Sequence, residues 1–289
     1  CNYTPNLIAQ SLRTNKTNTI GLTVPSIDNP FFATMSGVII NQLKNRGYNI
    51  LLSDTMENAE NEVEALNSFV SRKVDGIIAV PVSSSPDYLE EISRSIPVIL
   101  IDRYFDDTKL PYVCTDNYSG GYMATEYLIS KGYRNILAIQ GVLSSMPNKE
   151  RVRGFEQAIL DHNELGVRHE VRGSSFSVEN GYEETKKALA APGRPDAIFA
   201  FSTTILLGAI KAIKEIGMRI PDDVAIISFD NNRFLDYLDP AVTRVEQPVN
   251  VVGKLVTDNI IKMVESADDD VLPSSQILIR PTLIEGRSC

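Results

Sequence analysis

The residues able to do covalent or metal chemistry are few and poorly placed for it. Two histidines, His162 and His169, occur among the 289 residues, both in a polar stretch that reads as a helix end and a loop. A Ser–His–Asp hydrolase or a histidine metal site would have to be built from that pair. Cys1, Cys114 and Cys289 are too widely spaced for a zinc cluster or a disulfide framework. The carboxylates that fall together, Asp106/Asp107, Asp222/Asp223 and Asp268–Asp270, sit in turn-like segments where solvated acid is the simple reading. There is no G-x-x-x-x-G-K-[ST] phosphate loop, no G-x-G-x-x-G after the first strand and no G-x-S-x-G elbow. No enzyme, metal or cofactor is expected on these grounds, and binding is the chemistry left.

The elements that would position a binding site are clearer. Short β-branched runs at Ile20–Val24, Tyr48–Ser53, Gly76–Val80, Val98–Asp102, Ile136–Gln140, Ala197–Ser202 and Val224–Phe229 read as strands. Between the early ones, Met35/Val38/Ile39/Leu43 and Val63/Leu66/Phe69/Val70 recur at spacings of three and four, as one buried helix face requires. Leu206/Ile210/Ile213 does the same before Gly217, a natural helix stop. Strand and helix in alternation predict parallel sheets covered on both faces. A further helix is expected over 249–265 and a last strand over Gln276–Ile279. At 289 residues the chain exceeds what one core usually fills, and a seam of turn formers at Thr115–Gly121 divides it.

Charge sets the front of the chain apart. Net charge is −9, which argues against nucleic-acid binding over a broad surface, yet residues 1–17 hold +2 through Arg13 and Lys16 and leave −11 for the remainder. Within that front segment Thr4-Pro5 is a helix start and Ile8, Ala9 and Leu12 follow at helical spacing, before Asn and Thr end the pattern. So short a helix is unstable alone in water, since about 12–15 residues are marginal even for alanine-rich chains. No run approaches the roughly 18 apolar residues of a membrane span, and no secretion signal opens the chain; a cytoplasmic location is expected.

Eight pieces in order resemble the bacterial transcription repressors of the lactose- and purine-repressor type. They are Tyr3-x-Pro5-Asn6-x-x-Ala9-x-x-Leu12-Arg13, "NPFF" at 29–32, "VDGIIA" at 74–79, "IPVILIDR" at 96–103, "DNYSGGYMATEYLISKGYRNI" at 116–136, "RVRGF" at 151–155, "IPDDVAIISFDN" at 220–231 and Gln247-Pro248. The resemblance implies an α/β core like a type I periplasmic binding protein, with two Rossmann-like lobes, parallel sheets and a central cleft. It places the hinge helix and linker at 1–17, one lobe at 18–116 plus 248–267 and the other at 117–247 plus 268–289. A DNA-reading headpiece would precede these residues. The hinge helices of a homodimer would pair in the minor groove, with Leu12 as the wedge and Arg13, Ala9 and Asn6 beside it; Gln10 stands where the family commonly has Arg.

By the same resemblance the effector would meet Phe31 and Phe32 as an apolar wall, one lining the cleft and the other packing. Arg151 would act as a planar two-oxygen fork and Asp230 as an acceptor at a strand end, with Asn29, Asp102, Arg103, Phe176, Gln247 and Thr203 around them. Ser202-Thr203 departs from the Asn-Asp or Ser-Asp pair usual in sugar-responsive members, and Pro147 replaces a hydroxyl used by some. A sugar, a sugar derivative or a purine is the expected effector, and operator DNA the partner of the full-length protein. The other reading is a stand-alone sugar-binding protein of a transport system. No membrane partner is expected.

Overall fold

The computed structural model describes residues 16–266 and 275–289. The expected hinge helix, with Asn6, Ala9, Leu12 and Arg13, and the acidic run Asp268–Asp270 lie outside the described residues.

In chain order the elements are β1 (Thr19–Val24), α1 (Pro30–Lys44), β2 (Asn49–Asp54), α2 (Ala59–Ser71), β3 (Gly76–Ala79), α3 (Asp87–Ser93), β4 (Val98–Ile101) and β5 (Tyr112–Thr115). Then follow α4 (Asn117–Ser130), β6 (Asn135–Ile139), α5 (Met146–Asp161), β7 (Arg168–Arg172), α6 (Val178–Ala190), β8 (Ala197–Ala200), α7 (Thr203–Ile216), β9 (Ala225–Phe229) and β10 (Thr243–Glu246). The chain ends with α8 (Val249–Glu265), β11 (Gln276–Ile279) and β12 (Thr282–Ile284).

They form two compact units. The first takes the described residues up to Cys114 and from Val249 to Leu278; the second takes Thr115–Pro248 and Ile279–Cys289. Each holds a six-stranded sheet, ordered β11-β5-β4-β3-β1-β2 in the first and β12-β10-β9-β8-β6-β7 in the second. β1 to β4 and β6 to β9 pair in parallel with their neighbours, while β12 runs antiparallel to β10. β3, β4 and β8 are buried at every residue, as strands with helices on both faces must be. Phe69, Leu66, Ile77 and Leu100 centre one core, and Phe155, Phe199, Ile227 and Leu206 the other.

Two expectations need correction. His169 lies on β7 rather than in a loop; this edge strand, Arg-His-Glu-Val-Arg, has its first three residues exposed, so no apolar alternation marks it. Its charges discourage pairing with a foreign strand. The segment after α8 does not belong wholly to the second lobe, because β11 joins the first sheet beside β5 and only β12 joins the second. The sheet edges divide a tail that reads as continuous in sequence.

Candidate functional site

Both sheets carry the same order over their first five strands, second-first-third-fourth-fifth. Connections leaving the first and third strands then diverge to opposite faces, and open α/β sheets bind ligands beyond the carboxyl ends of the strands at such a switch point. Every expected effector residue falls on a segment that leaves a strand at that end or on the helix that follows.

In the second unit Arg151 is held from three sides and is 4% exposed. Its Nε donates to Asn117 Oδ1 at 2.8 Å, its Nη1 donates to the Phe201 carbonyl, and its guanidinium carbon stands 3.7 Å from the centre of the Phe229 ring. A backbone contact fixes its height. A β-carbon on Gly121 of α4 would lie 2.4 Å from the Arg151 carbonyl oxygen, and one on Gly154 of α5 would lie 2.1 Å from that of Tyr118. Glycine at both points lets α4 and α5 touch main chain to main chain.

Asp230 leaves β9 with φ at 77°, a left-handed conformation that Asp tolerates better than most side chains and that strained functional positions often show. Burial pushes its carboxyl above the ordinary value, while the Arg151 charge, the Gln247 amide and the Thr203 backbone N–H pull it down. Gln247 Nε2 donates to Asp230 Oδ1 at 2.6 Å, whereas Gln247 Oε1 is buried without a partner among the described residues. Such an acceptor is costly to leave unmet, and a bound donor would satisfy it.

Thr203 begins α7, fully buried, and its Oγ1 accepts from Asn232 Nδ2 at 3.1 Å. Ser202 caps the same helix by accepting from Ile205 N. The Phe176 ring lies against Gly141 after β6, where a β-carbon would come within 2.2 Å of it, and its carbonyl accepts from Thr204 Oγ1 at 2.9 Å. Arg151, Asp230, Gln247, Thr203 and Phe176 thus gather at the ends of β6, β8, β9 and β10.

In the first unit Asn29 caps α1, its Oδ1 accepting from Phe31 N at 3.0 Å, and Pro30 takes the first helical position. Phe31 and Phe32 meet edge to face with ring centres 5.1 Å apart, and both are buried. Asp102 leaves β4 at φ 66°, the counterpart of Asp230 in the other unit, and is likewise buried. Arg103 lies 6.0 Å from the Phe32 ring centre and grips Glu57 with two bonds of 2.8 and 2.5 Å. Burial is the largest single influence and works against the Arg103 charge, but the Glu57 hydrogen bonds together with the charges of Glu57, Asp102 and Glu62 outweigh it and push the guanidinium above its ordinary value.

Four partners escape sequence reading. Asn117 and Asn148 are buried polar groups serving Arg151 and the Gly141 N–H, Asn232 serves Thr203, and Glu57 pairs Arg103. Asn117 does sit in the quoted "DNYSGG" run, whereas nothing about Glu57 marks it before the fold brings it to Arg103. Each unit sets a forked donor and a carboxylate acceptor beside an aromatic ring, Arg151, Asp230 and Phe229 in one and Arg103, Asp102 and Phe32 in the other, groups suited to a small polar ligand. Among the described residues no group of His, Cys, Asp and Glu could hold a metal ion, and no helix is long and apolar enough to cross a membrane.

Comparison with known proteins agrees with this geometry. The HTH-type transcriptional repressor PurR of Erwinia tasmaniensis is 35% identical, aligned over 99% of this chain and 84% of its own length. The ribose operon repressor of Haemophilus influenzae is 29% identical over 98% of this chain and 84% of its own. A LacI-type regulator structure from Alkaliphilus metalliredigens, complexed with D-xylulofuranose, superposes with a TM-score of 0.81 at 30% identity, covering 94% of this chain and 98% of that one. Residues 17–283 match the model of one family, and with two sheets of the same order and a polar group at each set of strand ends, the chain belongs to the periplasmic binding proteins and sugar-binding domains of the LacI family.

Proposed function

We propose that this chain is the effector-binding and dimerisation core of a ligand-responsive transcription repressor, and that its effector is a five-carbon sugar. The identity to a transcriptional repressor over 84% of that protein's length carries the first part. The ribose operon repressor among the relatives and the pentulose in the related structure support the second. In this reading each lobe, 18–116 plus 248–267 and 117–247 plus 268–289, with the β11 exchange noted above, offers ligand-binding groups at the carboxyl ends of its strands. Arg151 and Gln247 Oε1 bind hydroxyls, Asp230 and Asp102 accept from them, Phe31 and Phe176 flank the ring, and Asn29, Phe32, Arg103 and Thr203 shape the wall.

Residues 1–17 then join the core to DNA, with Leu12 wedged in the minor groove of operator DNA and Arg13, Ala9 and Asn6 beside it, two copies acting as a homodimer in the cytoplasm. Ligand shifts the population between operator-binding and released forms by its differential affinity, typically about 1–3 kcal/mol. The protein acts by binding and releases its ligand unchanged.

A thermal-shift screen of pentoses, hexoses, sugar phosphates and purine bases tests the effector. A ligand at about 100 times its Kd adds roughly 2.7 kcal/mol, and a pentose should give the largest shift. A purine base as the sole stabiliser would overturn the sugar. A full-length protein that binds sugar but lacks effector-dependent DNA binding would overturn the repressor in favour of a transport-linked binding protein.

A further inference from the structure

The chain enters the first unit through a fastening that the effector site does not use. Thr17, two residues before β1, gives both its N–H and its hydroxyl to one oxygen of Asp75, with Thr17 N to Asp75 Oδ1 at 2.8 Å and Thr17 Oγ1 to the same atom at 3.0 Å. The hydroxyl also lies 3.1 Å from the Lys73 carbonyl. Thr19 Oγ1 donates back to the Thr17 carbonyl at 3.1 Å, and Asp75 N donates to Thr19 O at 2.8 Å. Asp75 immediately precedes β3, the neighbour of β1, so the entering chain is tied to the amino ends of both strands.

The second unit carries the same device at the matching place. Asp196 immediately precedes β8, the neighbour of β6, and its two oxygens accept from Arg134 N at 2.9 Å and Asn135 N at 3.0 Å. There both oxygens are used, on a connection that stays within the unit. At Asp75 the second oxygen, Oδ2, is buried and has no partner among the described residues. Asp75 also borders a hollow of about 380 Å³ lined by Lys16, Lys73, Ser95, Ile96 and Val264 among others. One fold position thus serves a closed latch in one unit and a half-made latch in the other, and the half-made one holds the segment that leads to residues 1–16.

We propose that Asp75 is a positioning residue for regulation: its bond to Thr17 transmits the state of the effector-binding core to the DNA-binding segment, an inference that rests on the repressor reading above. β1 and β3 are the lever. β1 spans six residues, about 20 Å at roughly 3.3 Å each. Its carboxyl end leads to Asn29 and the two phenylalanines, and the carboxyl end of β3 leads to Pro81, whose carbonyl lies 3.4 Å from Arg103 Nη1. Strands buried in a packed sheet move as rods. A displacement at the effector end therefore reaches Thr17 as long as the latch holds, and a linker cut loose from it no longer follows.

The test has two arms, one on the chain as it stands and one on the full-length protein. Trypsin cleavage after Lys16 reports the latch directly; Asp75→Ala and Thr17→Val, the latter removing only the hydroxyl, should each raise its rate several-fold while leaving cleavage within the core unchanged. In the full-length protein, operator affinity is measured with and without effector, and effector affinity by calorimetry. The parent ratio should fall at least five-fold toward one in both variants, with the effector Kd within two-fold of the parent. Should Asp75→Ala fail to fold, Thr17→Val decides alone. Variants that keep the parent ratio overturn the latch while leaving the repressor reading intact. A parent protein with no effector-dependent operator binding overturns the repressor reading instead, and the trypsin arm still judges whether the fastening exists.

Discussion

Asp230→Asn should weaken effector binding and strengthen the empty protein together. The carboxylate is 3% exposed, and burial is the largest influence on it, raising its pKa against the Arg151 charge, the Gln247 amide and the Thr203 N–H. An acid whose native pKa exceeds its unfolded value, about 3.9, binds more protons folded than unfolded at pH values between the two. Stability then falls as pH rises through that interval, and the full penalty applies above the native pKa. The asparagine variant lacks the titration. Its stability relative to the parent should be near level below pH 4, grow as pH rises, and level off once pH exceeds the native pKa.

Effector affinity moves the other way. Gln247 Nε2 and the Thr203 N–H occupy part of the carboxylate, which leaves acceptor capacity for ligand hydroxyls. A hydrogen bond to a charged acceptor contributes about 1.5–3 kcal/mol. At about 1.4 kcal/mol per decade the loss is roughly 10- to 150-fold in Kd. Urea melts from pH 4 to 8 and calorimetry with the best pentose read both effects. If the variant gains no stability on parent between acid and neutral pH, burial is not the dominant influence on Asp230. If the Kd moves less than about three-fold, Asp230 does not touch the ligand and the assigned site is wrong.

Arg151→Ala should abolish measurable effector binding and destabilise the fold by about 2 kcal/mol, because Asn117 Oδ1 and the Phe201 carbonyl lose their buried donor. Arg151→Lys should not restore binding, since one ammonium cannot make both bonds and lie flat on Phe229. Two glycine-to-alanine changes should have opposite signs in denaturant melts. Gly37→Ala on α1, where a β-carbon meets nothing within 4 Å, should stabilise by about 0.5–1 kcal/mol, while Gly121→Ala drives a methyl against the Arg151 carbonyl and should cost about 1–3 kcal/mol. Burial, and secondarily Asp102, hold the Cys114 thiol well above its ordinary value. In a Cys1→Ser, Cys289→Ser background a thiol reagent should therefore modify Cys114 only as fast as the protein unfolds.

Most of the fold was legible because parallel strands buried on both faces are written as uninterrupted apolar runs. GIIA at β3, VILI at β4 and AIFA at β8 leave little alternative. The strands that escaped are marginal ones: β7 is charged and exposed, β12 has three residues, and β5 and β10 are four-residue strands beside turns. The candidate residues were legible by resemblance, but their bonding was not. That Arg151 leans on Asn117, or Arg103 on Glu57, depends on contacts separated by 34 and 46 residues, for which local spacing carries no signal. The glycines were visible as motif letters in "DNYSGG" and "RVRGF", yet only the packing of α4 on α5 explains why they occur as a pair.

The two units share a plan and differ in how its polar groups are used. Asp102 and Asp230 both follow the fourth strand of their sheet with left-handed backbone. Beside Asp102, Arg103 is gripped by Glu57 through two bonds, and its buried Nε makes no hydrogen bond among the described residues but faces the Asp102 carboxylate at 3.9 Å. Beside Asp230, Gln247 keeps a buried acceptor unmet, while Arg151 is anchored by Nε to Asn117 and by Nη1 to the Phe201 carbonyl. Burying an unmet acceptor costs about 1–3 kcal/mol, a cost that a correctly shaped hydroxyl removes and an apolar group does not. Discrimination among sugars should therefore reside in the second unit. Gln247→Leu, which removes the unmet acceptor, should narrow the affinity gap between a pentose and its deoxy analogue by more than any substitution of Asn29 or Glu57. A gap that survives in Gln247→Leu and collapses in Glu57→Gln would reverse the assignment.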